Sequence, residues 1–379
     1  MILSTARRAA VAVLGLALVP LAACAPASSA HGLKIVATTT QICDYVTQIA
    51  AASTDLSLDK TDASGKQSHV GPAPDSAALT MSLTCLLAPN ASAHEHEMTP
   101  AQTAALAEAD VMAVSGVDLE HFLDDAVASS GFHGRMVVTS GVLTAADVDE
   151  PGAPDPQAPY TIDRGNERVE VAPWPFPPEN AGEEPEFRFD PHVWTSPVRA
   201  SIQVGNLGAG LAAAAPDAAS SINAATASYL EDLDALDAWA TASIETVPEG
   251  QRVLFTSHDA FGYFSGDYGI RFIGAALTDF NDQQDATADH IASAVQAVKD
   301  SGAVALFAEN SNNSKSIEAI ARGAGVTPIV GDDALYGDSL GPDGSAGATY
   351  VGSIIHNVRA VTDAWGGTAP ALPERLAGQ

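Results

Sequence analysis

Residues 217–246 read DAASSINAATASYLEDLDALDAWATASIET, an alanine-rich run with Pro216 just ahead of it and Pro248-Glu249-Gly250 just beyond. Proline and aspartate at the front open a helix, and proline with glycine behind closes it. At the usual rise such a helix reaches ~45 Å, long enough to run along two separate lobes. The chain has 379 residues, which suffices for two cores. On both sides of the run, strand-like and helix-like segments alternate, so 217–247 reads as the helix that joins two lobes.

The N-terminal lobe spans 33–216. Strands are expected at 33–38, 79–87, 111–114 and 136–138, with helices at 41–52, from Thr99 to about 109, at 119–129 and at 197–214. Thr99-Pro100-Ala101-Gln102 has the form of a capping box with proline in the first helical position. Residues 55–76 are polar and read as a surface loop. From about 147 to 186 the chain is rich in Pro, Asp and Glu; this acidic insertion is expected to be an excursion with a short hairpin at 160–163 and 168–171 around Gly165-Asn166. The C-terminal lobe, 248–379, repeats the alternation: strands at 252–255, 271–275, 304–308 and 327–330, helices at 259–265, 287–300, 314–323 and 350–365. The pattern predicts an α/β fold of two lobes, each with a mainly parallel sheet flanked by helices, joined by one long rigid helix, with a cleft between them.

The first residues read as a targeting segment. Arg7 and Arg8 precede an apolar run, 9–23, too short for a comfortable membrane span. It ends in Leu21-Ala22-Ala23-Cys24, which resembles a bacterial lipobox: 1–23 is expected to be removed, Cys24 lipidated, and 24–32 left as a tether. Cys43 and Cys85 then remain, an even number that suggests one disulfide in an oxidising compartment, with two buried thiols as the plain alternative. The net charge of -30 argues against nucleic acid as a partner.

Open α/β sheets place ligand sites beyond the carboxyl ends of their strands. His94 follows the 79–87 strand on a loop pinned by the helix start at Thr99, His258 comes directly after 253–256, and Asp338 lies shortly beyond 326–330. His192 stands at the lobe boundary, held between Pro191 and Val193-Trp194 ahead of a helix start at Ser196-Pro197. Three neutral imidazoles and one carboxylate suit a small divalent transition ion, zinc most readily. His121, His133, His290 and His356 fall on expected helix surfaces or loops, and His31 and His69 on polar segments, so these six read as surface or capping residues. There is no H-E-x-x-H, and Glu95 lies on a loop, which counts against a zinc hydrolase.

Several motifs occur together and in order: 35–42 (IVATTTQI), His94-Glu95-His96-Glu97-Met98-Thr99-Pro100, Asp190-Pro191-His192-Val193-Trp194, Ser257-His258-Asp259-Ala260-Phe261-Gly262, Phe307-Ala308-Glu309, and Tyr336-Gly337-Asp338-Ser339-Leu340-Gly341 followed by 349–352 and Asn357. In these the chain resembles the zinc- and manganese-binding solute-binding lipoproteins of metal ABC transporters, over nearly all of its mature length. The resemblance implies that His94, His192, His258 and Asp338 are the ligands. It further implies that the protein is no enzyme, and that it is exported and held by lipid on the outer face of the cytoplasmic membrane, or periplasmic. A membrane permease is the implied partner, with a metallochaperone as a further one, and the protein is expected to be a monomer. The family pattern has Asp-Pro before the first histidine and tyrosine after it; here Ser92-Ala93 and His96 stand in those places, which raises His96 as an auxiliary ligand. Glu309 is expected to be a hydrogen-bond partner of a ligating histidine. Three histidines resemble the zinc-type version, whereas manganese-type members typically carry an acidic residue where His258 stands; Zn2+ is the expected cargo, with Mn2+ as the alternative. A surface adhesin is the remaining alternative.

Overall fold

Leu33–Ala37 forms β1, whose Leu33, Ile35, Val36 and Ala37 are all buried, as befits a central strand covered on both faces. In the computed structural model, residues 32–94, 96–149, 152, 159–175, 187–277 and 287–378 are described. The segment 1–23, Cys24 and, within the 147–186 insertion, residues 150, 151, 153–158 and 176–186 lie outside the described residues. No helix among the described residues is long and apolar enough to cross a membrane.

Beside β1 lie β2 (Leu56–Thr61), β3 (Gln67–Val70), β4 (Leu79–Cys85), β5 (Val111–Val114), β6 (Arg135–Val138) and β7 (Thr161–Asp163), in the order β3-β2-β4-β1-β5-β6-β7. Every pairing is parallel except β2 with β3. The helices of this half are α1 (Thr40–Ala51), α2 (Pro100–Ala107), α3 (Leu123–Ser130), α4 (Ala146–Asp149) and α5 (Pro197–Ala214). Thr39 caps α1, and Thr99 and Gln102 close the expected capping box at the start of α2. The second sheet contains β8 (Val253–Thr256), β9 (Arg271–Ala275), β10 (Ala305–Phe307) and β11 (Thr327–Ile329), all parallel in the order β11-β10-β8-β9.

Between the sheets runs α6 (Ala219–Ile244), 26 residues and therefore ~39 Å long. A 3-10 turn, Pro216–Ala218, precedes it. Its buried stripe, Ile222, Ala225, Tyr229, Leu233, Leu236, Trp239, Ala240 and Ile244, recurs at three- and four-residue spacing. The stripe packs on α1, on α5 and on α10 (Tyr350–Ala364). One apolar cluster consequently extends from Ile35 in the first sheet through α6 to Leu254 and Phe307 in the second. The helices α7 (Gly262–Asp267), α8 (Ala288–Ser301) and α9 (Lys315–Ala324) complete the second half.

Two local expectations need correction. Residues 55–76 are not a loop but hold β2 and β3, whose Asp62–Lys66 turn is closed by hydrogen bonds to the Asp62 carboxylate and a left-handed Gly65. β3 is an edge strand with no buried residue, so its polar side chains carry no alternating pattern. The hairpin around Gly165-Asn166 is also absent: β7 pairs in parallel with β6, and Asn206 Oδ1 of α5 accepts from the backbone N–H groups of Asn166 and Glu167. Cys43, on the first turn of α1, is bonded to Cys85 at the end of β4, with the Cα atoms 5.6 Å apart.

Candidate metal centre

The segment that leads to His192 is set from its two sides. Asp190 N–H donates to Ala172 O at 2.9 Å, and Tyr263 Oη donates to Asp190 O at 2.7 Å. Asp190 Oδ1 then accepts from the His192 backbone N–H at 2.9 Å and lies 2.8 Å from His192 Nδ1. A carboxylate on Nδ1 fixes the proton there, which turns the Nε2 lone pair inward. After His192, Val193–Thr195 forms a 3-10 turn and Ser196 caps α5.

His94 lies beyond β4, with its N–H 3.3 Å from Ser92 Oγ; the same hydroxyl donates to Asp338 Oδ2 at 2.7 Å. His258 follows β8, its N–H donating to Glu309 Oε1 at 2.9 Å and its Nδ1 3.0 Å from Asp259 Oδ1. Asp338 sits on a loop tied back across the molecule: Gln41 Nε2 donates to Asp338 O at 3.1 Å, Trp194 Nε1 to Gly337 O at 2.9 Å, and Leu340 N to Thr40 Oγ1 at 2.9 Å.

These elements bring His94, His192, His258 and Asp338 together, with one ligand atom of each inside a group 4.8 Å across. His94 Nε2 is 3.1 Å from His192 Nε2, and His258 Nε2 is 3.3 Å from it. The Asp338 oxygens lie 3.5 Å from the Nε2 atoms of His94 and His192 and 3.6 Å from that of His258. Four donors ~2.0–2.1 Å from one central ion at tetrahedral angles stand ~3.3–3.4 Å apart. The closest approaches match the edges of such a shell, Asp338 using Oδ2 towards His94 and His258 and Oδ1 towards His192, and none of the four residues is more than 6% exposed.

Burial and neighbouring charges shift the four groups in different directions. Burial drives His94 well below the usual histidine range and His258 down to about 4. For Asp338 burial acts upward, but the neighbouring His258, His94 and His192 outweigh it and hold the carboxyl at about 2. His192 runs the other way: burial opposes its charge, yet the Asp190 hydrogen bond and the fields of Asp190 and Asp338 raise it. Asp259, whose Oδ1 lies 3.0 Å from His258 Nδ1, is pushed up to about 8 by burial.

The other expected site residues fall outside the cluster. His96 is half-buried with its ring edge-on to Phe122, 4.9 Å between centroids, and is not among the four converging groups. Glu309 serves His258, but at its backbone N–H and not at its ring. His290 and His356 bond the carbonyls of Ala275 and Ala334, and His69 pairs with Asp59. Asp190 and Asp259, the carboxylates beside the ligand rings, were not singled out from the sequence. Their signal was an acid two residues before one ligand histidine and one residue after another.

The family profile described as zinc-uptake complex component A, periplasmic, matches residues 35–364. The manganese-binding lipoprotein MntA of Bacillus subtilis (strain 168) is 28% identical over 285 residues, 74% of this chain and 82% of that one. The zinc-binding protein TroA of Treponema pallidum is 33% identical over 184 residues, 47% of this chain and 58% of that one. Among solved structures, the periplasmic zinc binding protein TroA from Treponema pallidum superposes with a TM-score of 0.63 at 24% identity, over 88% of this chain and 99% of that one. That likeness shows the two-lobe fold.

Proposed function

The chain belongs to the family of zinc-uptake complex component A proteins, metal-binding solute-binding proteins of ABC transporters that act outside the cytoplasm and are not enzymes, and on that footing we propose that its cargo is Zn2+. In this reading His94, His192, His258 and Asp338 hold the ion and pass it to a membrane permease. The observation that carries it is the convergence of these four side chains, with closest donor-atom approaches of 3.1–3.6 Å and one donor atom of each within 4.8 Å of the others. Three imidazole nitrogens and one carboxylate oxygen suit zinc better than an ion that prefers oxygen. Four protein ligands fill a tetrahedral shell, which serves carriage and leaves no position for a reacting water.

Manganese is the second reading, favoured by the likeness to a manganese-binding lipoprotein. Calorimetric titration of chelator-stripped protein with Zn2+ and Mn2+ in separate runs, alongside a His258→Ala variant, separates the two. One tight zinc site, lost or greatly weakened in the variant, supports the proposal. A preference for manganese keeps the transporter role and overturns the zinc assignment, and no stoichiometric site for either ion overturns the ligand set.

The proposal extends to the rest of the chain. Residues 33–216 and 248–379 act as the two lobes and 217–247 as the helix linking them. Cys24 carries a lipid after removal of 1–23, the Cys43–Cys85 bond forms in the oxidising space outside the cytoplasm, and the protein works as a monomer. Mass spectrometry of the membrane fraction tests the anchor: an N-terminal peptide beginning before Cys24 and free of lipid would refute it.

A further inference from the structure

We propose that Trp174 and Phe187 form an aromatic wall that keeps water off the bound ion and so restricts the site to metals content with four ligands. The proposal rests on the reading that His94, His192, His258 and Asp338 hold the cargo. Trp174 lies within the acidic insertion and Phe187 just after it, where Trp174 N–H donates to Arg188 O at 3.1 Å and Pro173 bridges Phe189 in antiparallel fashion. The next hydrogen bond of that short ladder, Asp190 N–H to Ala172 O, positions the carboxylate that orients His192. Wall and ligand are thus fixed by one piece of backbone.

The order of the rings shows which way the wall faces. The Phe187 ring lies 5.6 Å from that of buried His94 on one side and stacks at 5.3 Å and 24° on exposed His121 on the other. Phe187, 2% exposed, thus contacts both the exposed His121 ring and the buried His94 ring. Half-buried Trp174 extends the wall, 5.7 Å from Phe187 and 6.0 Å from His192. Neither ring offers a donor atom for a cation to bind. A water joining the ion from this side has to displace one of them. Zinc is satisfied by three nitrogens and one carboxylate, whereas manganese needs further oxygen ligands to complete its shell. Solvent access around a site tunes its metal chemistry as much as the ligands do.

Cobalt reports the difference directly, because four-coordinate Co2+ absorbs visible light intensely and five- or six-coordinate Co2+ weakly. Full-length protein is stripped of metal, loaded with Co2+, and compared with Phe187→Ala, Trp174→Ala and the bulk-preserving Phe187→Leu; Zn2+ and Mn2+ affinities are measured on the same four proteins. The wild type and Phe187→Leu are expected to show the intense spectrum. Phe187→Ala and Trp174→Ala are expected to show the weak one, with the preference for zinc over manganese reduced about tenfold. An intense spectrum and unchanged preference in both alanine variants overturn the wall, as does a weak spectrum in the wild type. If the wild type takes up no stoichiometric cobalt or zinc, the ligand set is wrong and the wall falls with it. A variant that fails to fold is read through its partner, since either alanine opens the same face.

Discussion

Gly337 precedes the ligand Asp338, and a methyl group placed there would lie 2.1 Å from Glu309 Oε2. Its backbone is not in the left-handed region, so alanine is resisted only by that carboxylate. To regain ordinary contact at 3.4 Å the Glu309 group has to withdraw by about 1.3 Å. Its other oxygen holds the His258 N–H at 2.9 Å, and that bond does not survive such a movement. Breaking a buried hydrogen bond to a charged group costs ~1.5–3 kcal/mol, and crowding a packed site ~1–3 kcal/mol. We expect metal-free Gly337→Ala to lose ~3 kcal/mol in urea unfolding. Two ligands flank the displaced carboxylate, so zinc affinity should fall ~10–100-fold, equivalent to ~1.4–2.7 kcal/mol, in a chelator-competition titration. Gly205→Ala is the control: it lies within α5 with nothing within 4 Å of the added carbon, and should gain up to ~1 kcal/mol with zinc binding unchanged. Wild-type zinc affinity in a Gly337→Ala protein that is nonetheless destabilised would refute the claim that Glu309 supports the site.

Asp190→Asn should weaken zinc binding ~10–100-fold by loosening the His192 ring, and an unchanged calorimetric isotherm would show that the ring is held by its surroundings instead. Replacing Cys43 and Cys85 by serine opens a loop with a sequence separation of 42, for an expected loss of ~4 kcal/mol; equal urea midpoints for variant and wild type would contradict it. Zinc held at about 100 times its dissociation constant should add ~2.7 kcal/mol of stability, removed by chelator, and a melting temperature indifferent to chelator would count against a folded-state site. Metal-free protein should also lose stability as the pH drops from 6.5 towards 4, because buried His258, lowered to about 4, refuses a proton that the unfolded chain accepts. Asp259, raised by burial to about 8, opposes this across the window, because the folded chain keeps a proton there that the unfolded chain releases; His192, being raised, contributes stability fully present below pH 6.5 that fades only as the pH rises through its folded value. The His258 part is isolated by His258→Asn, whose urea midpoint should vary less over that window; the same slope in both proteins refutes the assignment.

What could be read before the structure, and what could not, follows from how local each signal is. His94, His258 and Asp338 were legible because each follows a strand whose apolar character is plain and strand ends in α/β sheets converge, and His192 because Pro191 and the helix start at Ser196-Pro197 frame it. α6 was legible for a similar reason: 26 residues of continuous pattern between prolines outweigh any local ambiguity. β3 was hidden because an edge strand in water needs no apolar alternation, and β2 because its buried part is only Leu56–Leu58 ahead of the polar Asp59, Lys60 and Thr61. The parallel docking of β7 on β6 was hidden because the Gly165-Asn166 turn reads as a hairpin unless Asn206 is known to lie against it. Asp190 and Asp259 were on the page but uninterpreted, since an acid beside a histidine in sequence need not reach its ring. Glu309 shows the converse. It was expected to partner one of the histidines, but which one, and whether at ring or backbone, depends on packing and a rotamer that no motif encodes.

A carrier has to give up what it holds, and the structure concentrates the means of doing so in two segments. The first, 88–94, and the second, 337–348, bear His94 and Asp338, and neither includes any helix or strand. The bonds that tie them to each other and to α1 include Ser92 Oγ to Asp338 Oδ2, Asn90 N to Leu340 O, Leu340 N to Thr40 Oγ1, Thr40 Oγ1 with Ser339 Oγ, and Gln41 Nε2 to the carbonyls of Gly337 and Asp338. α6, with its buried stripe, has no comparable freedom. An ion bridging His94 and Asp338 to His192 and His258 adds links across these ties, so the metal-bound state should open there less often. Hydrogen exchange should therefore slow in 88–94 and 337–348 on zinc binding while α6 stays as it was. Equal protection of those segments with and without zinc would mean that release does not start from them, and exchange that changes along α6 would mean that the long helix itself bends to let the ion go.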